Sequence, residues 1–369
     1  MENQAVIDRK KLQQNIAEIR RFLPEKCRVM AVVKGNAYGH GVEQIAPLME
    51  ANPSIHMLAV ASLDEARNLH RLGVRKPVLI LGHTSRSQLT DGEIPPRVIF
   101  SASSAEDVRM YEEVSGRLGR CLPIHLRLDF GGGVRGIERK TFLRHQEWFL
   151  TSPGVCGLYA HVYSAYNTED DSRTERDLLE YDSVLQNIPP ELRVRLCCHF
   201  LTSVSFYRFP AYAYDMVRVG AALYGFPLPG RQTQRPALSP VLSISATVLN
   251  VVPVAVDSAL DYWNDIPPHV HKVALLSVGN WDVPNFFRGK NIHVCIRERL
   301  LEVVGSPCMD TCCVDVTCAP EVRPGDTVYF LQDSPGVRLT DKIHENGFDY
   351  ADCQMLFSGI DRLRRVFAE

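Results

Sequence analysis

Short apolar runs alternate with amphipathic segments through the first half of the chain and somewhat beyond it. The first amphipathic segment places Leu12, Ile16, Ile19 and Leu23 at helical spacing. Apolar runs typical of buried strands follow it, with amphipathic helices between them. The predicted strands are 29–33, 58–61, 77–81, 97–101, 123–129, 155–162 and 193–199, and the predicted helices include 42–49, 62–73, 105–118 and 174–185.

This alternation of strands and helices predicts an α/β protein with a parallel sheet. Because the number of predicted strands is near eight, the pattern favours an N-terminal (β/α)8 barrel of the TIM type over an open sheet. A doubly wound open sheet is the alternative, and it calls for a glycine-rich dinucleotide-binding sequence after the first strand. Residues 34–39, which occupy that place, do not have this sequence.

The pattern changes after residue 227. Prolines at 227, 229, 236 and 240 indicate a linker, and the segments beyond it are apolar or alternating, without long helical periodicity. We therefore expect a barrel domain over residues 1–230 and a mostly-β C-terminal domain over residues 231–369. One short helix is predicted near 339–345. The other segments predicted as strands are 242–254, 273–278, 292–296, 301–304, 313–316 and 327–331.

The composition is that of an ordinary globular enzyme. Of the 369 residues 45% are hydrophobic and 23% charged, and the formal net charge of −2 gives no support to a nucleic-acid partner. The N-terminus does not resemble a signal peptide, and no apolar run is long enough to span a bilayer. The eleven cysteines and the histidines lack structural zinc spacing. We expect a cytoplasmic protein without a metal site.

Lys34 ends the first strongly apolar strand, at the end where a (β/α)8 barrel builds its active site. A lysine in this position is usually a surface residue, but the sequence around it is unusual. Lys34 is followed by Asn36, Ala37, Tyr38, Gly39, His40 and Gly41, with Gly35 where alanine is common. This run resembles the cofactor-binding lysine sequence of the alanine racemase family, which consists of fold-type III enzymes that use pyridoxal 5'-phosphate (PLP).

The resemblance covers nearly the whole chain and implies which residues hold the cofactor. Lys34 would form the aldimine with PLP, and Arg218 would face the pyridine nitrogen. Thr202 replaces the asparagine that usually precedes the phosphate-binding serine. The other residues implied to hold the cofactor are Tyr38, His161, His199, Ser203, Gly220, Ala221 and, as a substitute for a tyrosine usually found at position 353, Tyr350.

The resemblance also implies a homodimer with shared active sites. Residues 305–310 are similar to a family segment that reaches into the active site of the other subunit, where Met309 would approach the substrate carboxylate. The partners expected are therefore a second copy of the chain and a small amino acid or amine, with no nucleic acid and no membrane.

The residues specific to alanine racemisation are mostly different here. Asn280 stands where the family has its second base, a tyrosine, and an amide does not titrate. Arg127 replaces a lysine that is carbamylated in some members, and Val134 replaces the arginine that binds the substrate carboxylate. Arg135 is adjacent, but on the same backbone its side chain would point elsewhere unless the three preceding glycines allow a shift.

A second group for proton transfer is therefore needed, because racemisation requires one on each face of Cα. Cys308 is a candidate, since a thiol titrates nearer neutrality than a phenol and related decarboxylases use a cysteine in a similar segment. His161 is expected beside the reacting atoms, and Tyr163 and Tyr166 are further candidates. The simpler interpretation of Cys308 is that it is one of many cysteines without a chemical role.

Three functions remain open. The first is a PLP-dependent racemase or epimerase that removes the Cα proton of an external aldimine, acts on a substrate other than alanine, and serves a specialised biosynthetic pathway. The second is a fold-type III decarboxylase or lyase, which the loss of the carboxylate-binding arginine favours. The third is a PLP-binding homologue without activity. Asn280, Met309 and Arg135 are the candidate substrate-binding residues.

Overall fold

The computed structural model describes residues 3–90, 92–130, 135–230, 234–254, 266–289, 291–349 and 353–368. Its strands are β1 (Gln4–Ile7), β2 (Arg28–Val32), β3 (Met57–Val60), β4 (Val78–Ile80), β5 (Val98–Ala102), β6 (Ile124–Asp129), β7 (Ile137–Glu138), β8 (Val155–Tyr159), β9 (Cys197–His199), β10 (Met216–Val219), β11 (Leu242–Pro253), β12 (Lys272–Leu276), β13 (His293–Ile296), β14 (Arg299–Val304), β15 (Cys312–Asp315), β16 (Thr327–Leu331) and β17 (Arg364–Phe367).

The helices lie mostly between the strands of the first two thirds of the chain. They are α1 (Arg9–Arg21), α2 (Lys34–Tyr38), α3 (Val42–Ala51), α4 (Leu63–Arg71), α5 (Arg86–Thr90), α6 (Ala105–Leu118), α7 (Arg139–Arg144), α8 (Gln146–Thr151), α9 (Ser172–Gln186), α10 (Pro190–Arg193) and α11 (Leu339–Glu345). Short 3₁₀ turns occur at Tyr163–Tyr166, Pro210–Tyr212, Pro284–Phe286 and Cys353–Met355.

Eight parallel strands form a nearly closed barrel, as the sequence predicts. Their order is β10-β2-β3-β4-β5-β6-β8-β9, and an isolated parallel bridge between Thr202 and Arg218 links the chain after β9 to β10. The strands are apolar on both faces because one face packs on the surrounding helices and the other fills the barrel. Met30, Met57 and Leu79 are among the inward-facing core residues. Active sites of such barrels lie where the strands end in loops.

The second sheet confirms the predicted mostly-β C-terminal region. Its order is β12-β15-β14-β13-β16-β11-β1-β17, and β11 also pairs with β12. The N-terminal strand β1 belongs to this sheet, antiparallel to β11 and parallel to β17. The two ends of the chain are therefore held together beside the barrel, an arrangement that the sequence pattern did not predict. The domain boundary near residue 230 stays a prediction.

Two predicted strands are shorter than expected, and the second difference places His161 in a loop. The run at 193–199 contains the end of α10, because Pro189 and Pro190 start a helical turn there, and only Cys197–His199 is a strand. The run at 155–162 ends at Tyr159, so that His161 lies beyond β8. The predicted helix at 339–345 is confirmed by α11. No helix among the described residues has the length and apolar character needed to cross a membrane.

Candidate functional site

A cavity of about 590 Å³ opens where the barrel strands end. It gathers most of the residues that the sequence singled out. Those that line it are Lys34, Tyr38, Arg135, His161, Ser203, Arg218, Gly220 and Ala221, together with Arg127, Tyr163, Tyr166, Thr202 and Gln354. His199, Asn280, Cys308 and Met309 do not line the cavity, and Tyr350 lies outside the described residues.

Lys34 is presented by a left-handed turn. Gly35, Asn36 and Ala37 have φ of 61°, 53° and 56°, and the Gly39 N–H donates to the Gly35 carbonyl at 3.0 Å. Left-handed backbone is unfavourable for residues with a Cβ, by roughly 1–2 kcal/mol each, so other contacts must hold this turn. The Glu65 carboxylate accepts the Gly35 N–H at 2.6 Å and the Ala61 N–H at 2.6 Å, which ties the turn to the end of β3.

The C-terminal end of the chain holds the same turn from the other side. Asn36 accepts the Val42 N–H at 2.8 Å and donates to the Asp361 carboxylate at 2.8 Å. Arg365 donates to the Gly39 carbonyl at 2.9 Å. Gly39 is required where the chain passes Phe357, since a Cβ there would overlap the Phe357 carbonyl. The conformation of the lysine turn therefore depends on residues more than three hundred positions away in the sequence.

Lys34 reaches solvent through the open cavity, but the cavity walls surround its amine. This partial burial lowers the pKa of Lys34, Glu65 opposes the shift, and the positive charges of Arg127 and Arg135 add to it. A lower pKa increases the fraction of neutral amine near pH 7, and a neutral amine is the form that attacks a carbonyl group. The environment of Lys34 is therefore that of a reactive lysine.

Arg218 is buried at the floor of the cavity with 3% of its surface exposed. Its guanidinium donates to His199 Nδ1 at 2.6 Å, to the His199 carbonyl at 3.0 Å and to the Ala160 carbonyl at 2.7 Å. His199 Nε2 lies 2.9 Å from His125 Nδ1. Because Arg218 can only donate, His199 accepts at Nδ1 and donates from Nε2 to His125. Burial lowers the pKa of Arg218 to about 10, so it stays charged at neutral pH.

His199 therefore acts behind Arg218 rather than at the cavity surface. It also stacks on Tyr159, with ring centroids 4.9 Å apart and planes at 15°. His199 does not line the cavity and contacts Arg218 instead, so its sequence-based assignment as a cofactor-binding residue stays a prediction. The position of His199 instead fixes how the guanidinium is oriented.

An uncharged cradle lies between the ends of β9 and β10. The Ser203 hydroxyl accepts the Gly220 N–H at 3.0 Å and the Ala222 N–H at 3.2 Å, which leaves its own proton free to be donated. A Cβ at position 220 would overlap the Tyr38 hydroxyl, so only glycine fits there. The Thr202 hydroxyl is buried and has no hydrogen-bond partner in the structure. Hydroxyl donors around an unfilled space are the groups that bind a phosphate ester, so the residues present fit the phosphate of PLP.

His161, Tyr163 and Arg127 form a second group on the cavity wall. The rings of His161 and Tyr163 lie 4.5 Å apart, and Arg127 donates to the Tyr163 hydroxyl at 2.8 Å. Burial, with the charges of Arg218, Arg127, Lys34 and Arg135, lowers the pKa of His161 to about 3. His161 is therefore neutral at pH 7. Tyr166 also lines the cavity, and burial raises its pKa.

Arg135 lines the cavity, so that of the two orientations the sequence left open for its side chain, the structure has the one that faces the cavity. Residues 131–134, which include the three glycines and Val134, lie outside the described residues. Gly136 has φ of 143° and packs so closely on the backbone of Leu128 that a Cβ would overlap it. The chain thus turns sharply after Arg135 and returns to pair with β6, which allows an arginine one position later than usual to face the cavity.

The candidate residues of the C-terminal domain cluster elsewhere on the surface. Asn280 donates its side-chain N–H to the Pro307 carbonyl at 2.9 Å, and the Trp281 N–H donates to the Met309 carbonyl at 2.8 Å. Trp281 is 58% exposed and Met309 64% exposed. Cys308 lies between them and is partly buried. Within one chain these residues contribute nothing to the cavity.

Glu65 is the functional residue that sequence reasoning missed. Residues 62–65 (Ser-Leu-Asp-Glu) have the sequence pattern of a capping box at a helix start, and Ser62 does accept the Glu65 N–H at 3.3 Å. In a capping box the glutamate returns to the backbone of the capping residue. Here it binds the Gly35 and Ala61 amides instead, which only the packing of β2 against β3 could bring together. No group of His, Cys, Asp and Glu suited to a metal ion occurs in the described part of the chain.

Comparison with known proteins places the same two regions in one family. The N-terminal alanine racemase domain matches residues 7–227, and the C-terminal alanine racemase domain matches residues 241–365. An alanine racemase from Methanococcus maripaludis is 30% identical over 332 residues, which cover 88% of this chain and 87% of that protein.

Solved structures share the fold over the whole chain. The alanine racemase of Clostridium difficile 630 aligns with a TM-score of 0.89 at 23% identity, covering 100% of this chain and 96% of that one. The Bartonella henselae alanine racemase, solved with covalently bound pyridoxal phosphate, aligns with a TM-score of 0.85 at 20% identity over 100% of both chains. At these identities the structures support the fold alone.

Proposed function

The chain belongs to the alanine racemase family, and from that premise we propose that it is a PLP-dependent amino-acid racemase or epimerase whose substrate is not alanine. We propose that Lys34 carries the cofactor and that the reaction begins with removal of the Cα proton. A role in a specialised biosynthetic pathway and the cytoplasmic location stay predictions from the sequence.

One observation supports this proposal above the others. A reactive lysine, a buried arginine and an uncharged cradle with the unpartnered Thr202 hydroxyl all face one cavity. PLP, when bound, withdraws electrons from Cα so that a bond to that carbon breaks more easily. The residues proposed to hold it are Lys34, Tyr38, Ser203, Arg218, Gly220 and Ala221.

The side chains of this protein then decide which bond breaks. The Nζ atom of Lys34 is the proposed base on one face of Cα. A proton donor is required on the other face, and Tyr163 has its hydroxyl in the same cavity, oriented by Arg127. His161, whose ring packs beside that of Tyr163, is neutral and does not act as a cation.

Cys308 is the alternative donor, and it requires a dimer. Cys308, Met309 and Asn280 are remote from the cavity of their own chain, so they can act only in the cavity of a second copy. The exposed side chains of Trp281 and Met309 support an interface at this surface, because large apolar groups are seldom left in water together. We therefore propose a homodimer with shared active sites.

A decarboxylase or lyase is the second candidate, favoured by the valine at position 134. Decarboxylation proceeds best when the carboxylate lies in an apolar environment. Arg127 and Arg135 in the cavity weigh against that environment, and for this reason we rank racemisation first. A PLP-binding protein without turnover is the third candidate, and the substitution at position 280 is its support.

Spectroscopy and isotope exchange test the proposal. The purified protein is expected to show a band near ~420 nm that borohydride removes, and the Lys34→Ala protein to lack it. Lys11→Ala, at a lysine paired with Asp333 at 3.7 Å, is the matched control and should keep the band. Deuterium from the solvent should then enter Cα of a substrate amino acid with inversion. Release of carbon dioxide would instead establish a decarboxylase, and a band without exchange into any amine would leave a binding protein.

A further inference from the structure

The lining of the cavity is strongly unbalanced in charge. Four of its residues are cationic: Lys34, Arg127, Arg135 and Arg218. None of the described residues that line it is an aspartate or a glutamate. A cavity of one sign concentrates ligands of the opposite sign, because low-dielectric walls focus the field. The lining therefore indicates an anionic ligand.

The carboxylates nearest to the lining already have partners. Glu65 accepts the Gly35 and Ala61 amides, each at 2.6 Å. Asp107 accepts the Ser103 N–H at 2.7 Å and lies 3.7 Å from His83. Asp129 ends β6 but does not line the cavity. Arg127 and Arg135 make no ion pair with any described residue, so no carboxylate in the described part of the chain offsets their charges at the cavity.

The proposed cofactor uses only two of the four cations. Lys34 becomes attached to it, and Arg218 faces its ring. Its phosphate is proposed to bind at the cradle of Ser203 and Gly220, near the ends of β9 and β10. In the order of the barrel, β6 is four strands away from β2 and three from β10. Arg127 and Arg135 therefore lie on the opposite side, where they remain available to the substrate.

Arg127 also has unused hydrogen-bonding capacity. One of its terminal nitrogens donates to Tyr163 at 2.8 Å, whereas its Nε atom is buried and has no partner. A buried donor without a partner is destabilising, and a bound anion would relieve that cost. Arginine is suited to that role because its planar guanidinium binds carboxylate or phosphate through two hydrogen bonds.

We propose that the substrate is an amino acid whose side chain carries a second anionic group, so that one of Arg127 and Arg135 binds the α-carboxylate and the other binds the side chain. This inference rests on the proposed function and narrows it. An amino acid has a single α-carboxylate, and one arginine is enough for it. A neutral substrate such as alanine would leave the second arginine facing an empty cavity, and a substrate with a basic side chain would be repelled.

Binding of unreactive acids to the cofactor-loaded protein tests the inference. Calorimetry at low ionic strength compares glutarate with its monoamide, which has the same shape and one charge fewer. Glutarate should bind at least about tenfold more tightly, equivalent to about 1.4 kcal/mol. The difference should shrink as salt is added. A parallel titration with 3-phosphonopropionate distinguishes a phosphate-type side chain from a carboxylate.

Variants assign the effect to the two arginines. Arg127→Gln and Arg135→Gln should each remove most of the preference for glutarate, and Arg135→Lys should restore part of it. Arg71→Gln, at an arginine on α4 that does not line the cavity, should leave the preference unchanged. The band near ~420 nm and the unfolding temperature are recorded for each protein, so that a folding defect is recognised.

The outcomes separate this inference from the proposed function. A protein that has the band but binds glutarate and the monoamide equally would overturn the inference and leave the function standing. A protein that lacks the band would overturn the proposed PLP-dependent function, on which this inference rests. If the preference survives both glutamine variants, the second anion is bound elsewhere and the inference is wrong.

Discussion

Replacing Glu65 by glutamine tests whether one carboxylate holds the lysine turn. Glu65 Oε1 accepts the Gly35 N–H and Oε2 accepts the Ala61 N–H, both at 2.6 Å. Glutamine keeps one acceptor oxygen and presents an NH₂ group to the second amide, so one bond is lost and two donors face each other.

The size of the effect follows from the exposure of the site. A hydrogen bond to a charged group contributes about 1.5–3 kcal/mol to stability when it is shielded from water. Glu65 is only partly buried, so water replaces part of the lost bond. We expect Glu65→Gln to lower the free energy of unfolding by about 1 kcal/mol, since one such bond is lost and partly replaced.

The same substitution should make Lys34 more reactive. The negative charge of Glu65 raises the pKa of Lys34, and its removal leaves burial and the two arginines to lower that pKa further. More of the amine is then neutral at pH 7. In the cofactor-free protein, the midpoint of the pH dependence of PLP attachment, followed near ~420 nm, should therefore move to lower pH.

Urea unfolding and the pH dependence of attachment are measured side by side. Glu50→Gln is the matched control, because Glu50 also accepts a backbone N–H, that of Lys76, at 3.1 Å. It should leave the pH midpoint unchanged. If Glu65→Gln has parental stability and a parental pH midpoint, the assignment of Glu65 as the anchor of the lysine turn is refuted.

Two further predictions concern proton transfer and pH. Tyr163→Phe should reduce Cα exchange by at least about a hundredfold, whereas Cys308→Ser should change it less than about twofold; the reverse result would make the partner's cysteine the donor. His40, His125 and His161 have their pKa lowered to about 3 by burial. The unfolded chain therefore binds more protons between pH 6.5 and 3, and stability should fall with decreasing pH by up to about 1.4 kcal/mol per unit for each histidine. His125→Gln should reduce the slope of unfolding free energy against pH. If substituting His40, His125 and His161 each leaves that slope unchanged, the assignment of the pH dependence to these histidines is wrong.

The lysine turn illustrates where local sequence was sufficient. The apolar run before Lys34 and the glycines after it predicted a strand followed by a loop, and β2 and the turn confirm this. Arg135 illustrates the opposite case. The sequence left the direction of its side chain open, because the path of the chain there depends on the close packing of Gly136 on Leu128. No local pattern contains that contact.

The N-terminal strand shows the same limit at the level of the fold. Gln4–Ile7 is too short to be recognised as a strand by alternation, and its partners are β11 and β17, at the other end of the sequence. Cys308 and Met309 show the same limit of local sequence at the level of the site. Within one chain they do not line the cavity, and only a dimer would bring them to a cavity.

Hydrophobic periodicity by itself determined the barrel, the β-rich C-terminal region and the place of Lys34 at the end of a strand, since these depend on which residues must leave water. The order of cofactor-type residues along the chain determined the family resemblance. The tertiary structure alone decided that Glu65 holds the lysine turn, that His199 lies behind Arg218, and that Arg127 and Arg135 share one side of the cavity. These features are contacts between segments distant in sequence, and their energies depend on distance and burial, which exist only once the chain has folded.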